Sequence, residues 1–330
     1  MRLLMSAFAF CVATSAAAQA PDARRIVQEH VLPRYQMLAD DTSALMATAQ
    51  AQCVADSAPL RAAYHTAFDA WIGVSHLRFG PSEQNDRGFA LAFWPDPRGS
   101  TPKTLATLIQ DQDPVAQDAD AFATVSVAAR GFYALEFLLF DAQFAEGENA
   151  EYRCVLTQAI TRDIAANAQA ILSDWQNGYA ALMTEAGNDT YRTDTEAAQQ
   201  LFTALSTGLE FTSGTRIARP LGTFDRPRPN RAEARRSERS LRHVVLSLEA
   251  TRELAALISG DDAAVDAAFE VALGRAQDVD DPVFGTVADP QSRFRVEVLQ
   301  QSINSIRRLL AEEIGPRLGI TAGFNSLDGD

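Results

Sequence analysis

Tyr133 and Glu136 are the residues of this chain whose types and spacing most clearly suggest chemistry. They lie just before the apolar run at residues 137–140. Residues three apart on an α-helix project from the same face, so the phenol and carboxylate oxygens could reach one cation. A phenolate suits a hard, highly charged cation such as ferric iron better than it suits zinc. The alternative is a hydrogen bond at a contact between helices.

Three other residues could complete such a site. His76 lies in the last turn of a predicted helix, where it could cap the helix end or meet the motif across a bundle. Trp94 lies in the long loop at residues 81–103, and loops of this length often line a binding site or cover the end of a bundle. Arg130 directly precedes the motif and could hold an anion. The predicted metal ligands are Tyr133, Glu136 and His76, with Trp94 and Arg130 as binding residues, and no catalytic residue is predicted.

Seven arginines lie between residues 226 and 242 of an acidic chain. They begin in a proline-rich loop and continue into a predicted helix, close to Ser237. Guanidinium groups and a helix start can bind carboxylate or phosphate, such as a metal chelate or a haem propionate. The alternative is a solvated surface on which these arginines pair with Glu233, Glu238 and other acids.

Helical periodicity predominates along the chain and predicts an all-α protein. A polar cluster at residues 185–194 is the best boundary, so we expect two four-helix-bundle-like domains packed side by side, at 21–188 and 189–330. Pro33 is expected to kink the first helix. The predicted helices cover about residues 22–50, 57–79, 117–141, 150–183, 195–214, 231–259, 262–277 and 289–316.

The first 20 residues predict a secretory signal peptide, with Arg2, an apolar core and small residues before Pro21. No other apolar run is long enough to span a membrane. Cys53 and Cys154 then remain, and in an oxidising compartment we expect them to form a disulfide rather than a zinc site. The net charge of −14 argues against binding to nucleic acid or to an anionic membrane surface.

Residues 131–136 resemble the Gly-x-His-x-x-Glu signature of the imelysin-like proteins, with Tyr133 at the histidine position. Further segments similar to that family follow in order along the mature chain, at residues 31–35, 70–81, 94–95, 152–154, 216–222, 237–241 and 318–330. The resemblance implies an exported, all-helical protein of two bundle-like domains that is linked to iron uptake. It also implies a site near the domain junction, and Arg216 and Ser237 within the similar segments are predicted as further binding residues.

The imelysin-like family is classed with metallopeptidases, but none of the four histidines begins a His-Glu-x-x-His motif. The sequence therefore favours a binding protein over an enzyme. We predict a periplasmic binding component linked to iron or metal uptake, with ferric iron favoured over zinc and an uptake partner in the periplasm or outer membrane. The alternatives are a metal-dependent peptidase and a scaffold that binds a protein or haem partner without a metal.

Overall fold

The computed structural model describes residues 20–146 and 148–320. Over these residues the chain is helical and forms no β-strand, only an isolated bridge between Thr223 and Arg226. The prediction of an all-α fold is confirmed. In chain order the helices are α1 (Ala23–Ile26), α2 (Leu32–Ala51), α3 (Ala58–Val74), α4 (Arg87–Leu91), α5 (Ser100–Asp111), α6 (Ala119–Phe122), α7 (Gly131–Phe140), α8 (Ala142–Ala145), α9 (Ala150–Asp174), α10 (Ala180–Thr184), α11 (Asp194–Phe211), α12 (Ala218–Leu221), α13 (Ser240–Ser259), α14 (Ala263–Gln277), α15 (Pro290–Leu309) and α16 (Gly315–Leu318).

Stretches of π-helix continue several of these helices, at Val27–Val31, Trp175–Tyr179, Thr212–Ile217 and Leu310–Ile314. Three of them end two or three residues before a proline that continues the helix, namely Pro33, Pro220 and Pro316. A proline ring clashes with the carbonyl four residues earlier, and a wider π turn moves that carbonyl away. The structure thus places a π turn directly before Pro33, where the sequence predicts a kink.

The region between α4 and α7 differs from the sequence prediction. One helix is predicted over residues 117–141, but α7 begins only at Gly131, after a series of short turns. A loop is predicted for residues 81–103, yet α5 already begins at Ser100. The Asp96 carboxylate accepts hydrogen bonds from the first two backbone N–H groups of α5, at 2.9 and 2.8 Å. The first backbone N–H groups of a helix have no acceptor within the helix, and the Asp96 carboxylate supplies one. It therefore favours a helix that begins at Ser100.

The helix predicted over residues 231–259 also begins late, at Ser240. Ala234 and Glu238 have φ angles of 44° and 59°, in the left-handed region that interrupts a right-handed helix. The residues before Ser240 therefore form an irregular turn. Side chains of this turn meet those of α7.

The core is one hydrophobic cluster that contains residues from both predicted domains. Helix α2 packs against α3 and α9, and α3 also packs against α13 in the second half of the chain. The boundary near residue 188 stays a prediction. The predicted disulfide is confirmed, because Cys53 and Cys154 are bonded with their Cα atoms 5.0 Å apart. It joins the turn after α2 to α9.

Within residues 20–146 and 148–320, no helix combines the length and the apolar character that crossing a membrane would need. Residues 1–19 of the predicted signal peptide lie outside the described part of the chain. The same holds for residues 321–330, which make up most of the C-terminal segment similar to the imelysin-like proteins.

Candidate functional site

Gly131 begins α7, and its position explains why a glycine opens the motif. Its φ is +73°, a conformation that residues with a side chain rarely adopt. A β-carbon at this position would lie 2.3 Å from the carbonyl oxygens of Ala90 and Leu91. Only glycine lets α7 approach the end of α4 this closely. The glycine therefore sets the position of Tyr133 and Glu136, which follow on the same helix.

Tyr133 and Glu136 are both buried, with exposed fractions of 6% and 2%. Both side chains reach the irregular turn that precedes α13. The Tyr133 hydroxyl donates a short hydrogen bond to Glu233 Oε1. Glu136 Oε1 accepts hydrogen bonds from the backbone N–H of Ser237 at 2.9 Å and from its hydroxyl at 2.7 Å. The two residues share a helix face as predicted, but each bonds to a different partner.

Glu233 is the centre of this polar cluster and is 1% exposed. Its Oε2 lies 2.8 Å from Arg216 Nε and 3.3 Å from His243 Nδ1. Its backbone carbonyl accepts a hydrogen bond from the Ser240 hydroxyl. The Tyr133 hydroxyl, described above, completes the set. We refer to Tyr133, Glu136, Arg216, Glu233, Ser237 and His243 together as the motif cluster.

Arg216 supplies the positive charge of the motif cluster. It lies in the π-helical stretch Thr212–Ile217 and is almost fully buried. Besides its ion pair with Glu233, it donates to Thr212 Oγ1 at 3.3 Å and to Ser75 Oγ at 3.2 Å. Its guanidinium also lies over the Phe211 ring, 4.8 Å from the ring centre. A buried charge needs this degree of pairing to be tolerated.

The surroundings shift the pKa values of Glu233, Glu136 and Tyr133 in different directions. Burial raises the pKa of Glu233, but the Arg216 charge and the neighbouring His243 outweigh it and lower that pKa to about 2. Burial raises the pKa of Glu136, and the two hydrogen bonds from Ser237 offset part of this shift. Burial and the Glu233 charge raise the pKa of Tyr133 well above its usual value. The phenol proton therefore stays on Tyr133 at neutral pH.

The remaining predicted residues lie at different distances from this cluster. Trp94 lies beside the motif cluster, because its ring stacks on Tyr133 with ring centres 6.1 Å apart. Arg130 instead forms a two-pronged ion pair with Asp163 of α9, at 2.9 and 2.6 Å. It also donates to the carbonyl of Ala123 at 2.7 Å. Arg130 thus ties the start of α7 to α9.

His76 bonds to another histidine. Its Nε2 lies 2.9 Å from Nε2 of His30, and both rings are buried. His30 Nδ1 lies 3.0 Å from the Glu253 carboxylate and 3.2 Å from Arg34 Nε. His76, in the turn after α3, therefore belongs to a separate polar group with residues of α2, α13 and the π-helical stretch Val27–Val31.

Two members of the motif cluster are missed by the sequence prediction. Glu233 is interpreted there as a surface acid, and His243 is not singled out at all. His243 is fully buried and packs edge-on against Phe68 with ring centres 4.5 Å apart. Neither of its ring nitrogens has a well-oriented hydrogen bond to a described residue. Arg216 and Glu233 are 17 positions apart in the chain, and no periodic pattern in the sequence indicates that they meet.

The arrangement does not fit a resident metal ion. Tyr133, Glu136 and His76 each bond to a different partner, and Arg216 already neutralises Glu233. Within the described ranges, no three His, Cys, Asp or Glu side chains are grouped so that they could hold a metal. Metal binding by the predicted ligands stays a prediction.

The histidine pair gives a testable pH dependence. Burial lowers the pKa of both His30 and His76, and the Arg34 charge adds to this shift. The unfolded chain takes up these protons below pH 6.5, whereas the folded protein resists them, so stability is full above pH 6.5 and falls below it. Each histidine contributes at most about 1.4 kcal/mol per pH unit. We expect His76→Gln to lower the slope of unfolding free energy between pH 6 and 5 by up to this amount.

Urea unfolding at a series of pH values measures this slope. Gln176→Ala changes an exposed side chain that does not titrate and should leave the slope as in the unchanged protein. An unchanged slope in His76→Gln would mean that the buried pair already binds a proton in the folded state.

Comparison with known proteins agrees with this description. A sequence model of the imelysin (peptidase M75) family matches residues 31–310. An imelysin-like protein from Psychrobacter arcticus 273-4 has a similar structure, with a TM-score of 0.77 and 20% identity over 92% of this chain and 96% of that one. No curated protein matches the sequence.

A second similar structure is that of a protein from Parabacteroides distasonis, provisionally named an iron-regulated protein A precursor. Its TM-score is 0.68 at 14% identity, over 89% of this chain and 96% of that one. At these identities the two structures establish the shared fold. The family model covers most of the chain and confirms the resemblance seen in the sequence. The chain belongs to the imelysin family, and its fold is imelysin-like.

Proposed function

We propose that this chain is an exported imelysin-family protein that acts as a binding component in bacterial iron uptake. The name of the Parabacteroides relative supports the link to iron. The disulfide supports export, because such bonds persist in oxidising compartments such as the periplasm. In this proposal iron is cargo, delivered to or received from an uptake partner.

The observation that carries the proposal is the motif cluster. It joins α7 to the second half of the chain through Tyr133, Glu233 and Arg216. These groups lie inside the protein, where an unpaired charge would be costly. Arg216 gives Glu233 the positive charge that a metal ion would otherwise supply. We infer that the protein recognises iron as a chelate rather than as a bare ion held by the motif.

Titration of the purified protein with ferric citrate tests the proposal. We expect saturable binding by calorimetry, with no visible charge-transfer band, since Tyr133 remains protonated. Ferrous iron, zinc and copper without a chelator should give no saturable binding. Tyr133→Phe removes the phenol, and because no iron–phenolate bond is expected, its affinity for ferric citrate should stay within about threefold of the original.

Three outcomes would contradict this view. A failure of every iron form to bind would refute the iron-linked function and leave the scaffold alternative. A visible band that is lost in Tyr133→Phe would show that the predicted ferric site at Tyr133 exists, and that the protein holds the bare ion. A zinc- or iron-dependent cleavage of a test protein would instead support the peptidase alternative.

A further inference from the structure

Four arginines surround the loop between α12 and α13, and we call them the arginine cluster. They are Arg219, Arg226, Arg228 and Arg231. Backbone hydrogen bonds fold the loop: Arg228 N–H donates to the Pro220 carbonyl at 2.9 Å, and Arg231 N–H donates to the Arg228 carbonyl at 2.8 Å. Backbone groups of the loop, and Arg293 through the carbonyls of Leu221 and Thr223, supply these contacts.

The arginine cluster has no acidic partner. None of its four guanidinium groups forms an ion pair or a hydrogen bond with a residue in the described ranges. Asp225, the acid inside the loop, takes part in no ion pair there either. By contrast, four other arginines of this region are paired with acids: Arg216 with Glu233, Arg236 with Asp141, and Arg239 and Arg242 with Asp69. Arg235 forms no ion pair with a described residue, but Glu136 and Asp141 lie near enough to act on its charge.

This contrast decides between the two interpretations of the arginine run. Arg236, Arg239 and Arg242 pair with acids, but with Asp141 and Asp69 rather than with Glu233 or Glu238. The side chains of the arginine cluster pair with no acid among the described residues, although acids outnumber bases in the chain by 43 to 29. In so acidic a protein, unpaired arginines that lie together are an unusual local concentration of positive charge.

The four charges also act on one another. The Arg226 and Arg231 charges lower the pKa of the Arg228 guanidinium. Burial and then the Arg231 charge lower that of Arg219. Such repulsion disfavours the folded loop unless an anion relieves it. Planar guanidinium forks match carboxylate and phosphate oxygens in charge and in geometry.

Arg219 adds an independent observation. Its Nε atom is buried and has no hydrogen-bond partner among the described residues. Its guanidinium lies over the Trp94 ring, 5.7 Å from the ring centre, and Trp94 in turn stacks on Tyr133. A buried donor without a partner is costly, so a ligand that accepts from it would be favoured. The arginine cluster therefore adjoins the motif cluster through Trp94.

We propose that the arginine cluster, together with Trp94, is a binding site for a small anion that carries several carboxylate or phosphate groups. Several negative groups are required because four guanidiniums are present and none is neutralised. The proposal goes beyond the iron-linked function and does not depend on it, because the site recognises the anion whether or not a metal is attached. If the cargo is a ferric chelate, the carboxylates of the chelator would bind here.

The test is calorimetry of the full protein with metal-free citrate, pyrophosphate and acetate at low ionic strength. We expect one saturable site for citrate or pyrophosphate and none for acetate. The stronger of the two ligands identifies the carboxylate or the phosphate source. Raising the salt concentration should weaken binding, because the attraction is between exposed charges.

Arg226→Gln/Arg228→Gln removes two charges of the arginine cluster while it keeps much of each side chain. We expect the Kd for the bound anion to rise at least tenfold. The matched control is Arg252→Gln/Arg275→Gln, which removes the same charge from exposed ion pairs elsewhere. The control should keep its Kd within about twofold, and circular dichroism should show that both variants are folded.

The outcomes separate this proposal from the proposed function. No saturable binding of citrate or pyrophosphate, or an equal loss in the control variant, would overturn the anion site. Citrate binding without ferric citrate binding would support the anion site and refute the iron function. An unchanged Kd for metal-free citrate and pyrophosphate in Arg226→Gln/Arg228→Gln would overturn the anion site, even where ferric citrate binding supports the iron function.

Discussion

Arg216→Met is expected to destabilise the protein by about 3–5 kcal/mol, because it leaves the Glu233 carboxylate buried without a counter-charge. Glu233 is 1% exposed, and its short hydrogen bond from Tyr133 cannot replace a full positive charge. Methionine keeps an apolar side chain of similar length, so the lost packing is small. Urea unfolding at pH 7 measures the change in unfolding free energy.

The pH dependence of this variant should be weaker than that of the unchanged protein. In the unchanged protein the pKa of Glu233 is lowered to about 2, so its contribution is present above pH 4.5 and is lost as the pH falls towards 2. Without the Arg216 charge that pKa rises, although His243 and the hydrogen bond from Tyr133 still lower it. Arg216→Met should therefore gain stability relative to the unchanged protein as the pH falls below the raised pKa.

Two controls make this result specific. Arg216→Met/Glu233→Gln removes both charges and should recover much of the lost stability, because neither partner then leaves an uncompensated buried charge. Arg252→Met breaks an exposed pair with Asp266 and should cost no more than about 1 kcal/mol. A loss in Arg216→Met no larger than in Arg252→Met would show that water reaches Glu233.

The buried pair of Arg216 and Glu233 also gives a physical reason for a tyrosine at position 133 of the motif. In this structure Tyr133 acts as a hydrogen-bond donor to Glu233, while Glu136 accepts from Ser237. A phenol that keeps its proton can donate the hydrogen bond to Glu233. The motif helix thus joins two halves of the chain through neutral and charge-assisted hydrogen bonds, with Arg216 as the internal cation.

Much of the fold could be predicted from the sequence, because long amphipathic helices have a strong local signal. The shared face of Tyr133 and Glu136 follows from their spacing alone. The pairing of Cys53 with Cys154 follows from their being the two cysteines left after the predicted signal peptide. These predictions depend on local residue patterns or on the number of cysteines, and a single sequence shows both.

The partners of the motif could not be predicted in this way. A helix over residues 231–259 would place Glu233 on a solvated face, but the left-handed Ala234 and Glu238 turn the chain so that Glu233 points inward. His76 meets His30 across 46 residues of sequence, and Arg130 meets Asp163 across 33. Such contacts depend on how the helices pack, which no periodicity records.

Replacing both cysteines of the disulfide is expected to lower the unfolding free energy by about 2–4 kcal/mol. The bond between Cys53 and Cys154 closes a loop across 101 residues and so restricts the unfolded chain strongly. The chain-entropy limit for a loop of about this length is ~4.7 kcal/mol. Both cysteines are only half-buried, so Cys53→Ser/Cys154→Ser should add little loss of packing.

Urea unfolding of the oxidised protein, the reduced protein and Cys53→Ser/Cys154→Ser measures this effect. We expect the reduced protein and the double variant to agree, because both lack the same constraint. The dependence of unfolding free energy on urea should steepen in both, since an unlinked chain exposes more surface when it unfolds. Equal stability of all three forms would mean that the helices around α2 and α9 retain their association in the unfolded state, so that the bond restricts nothing further.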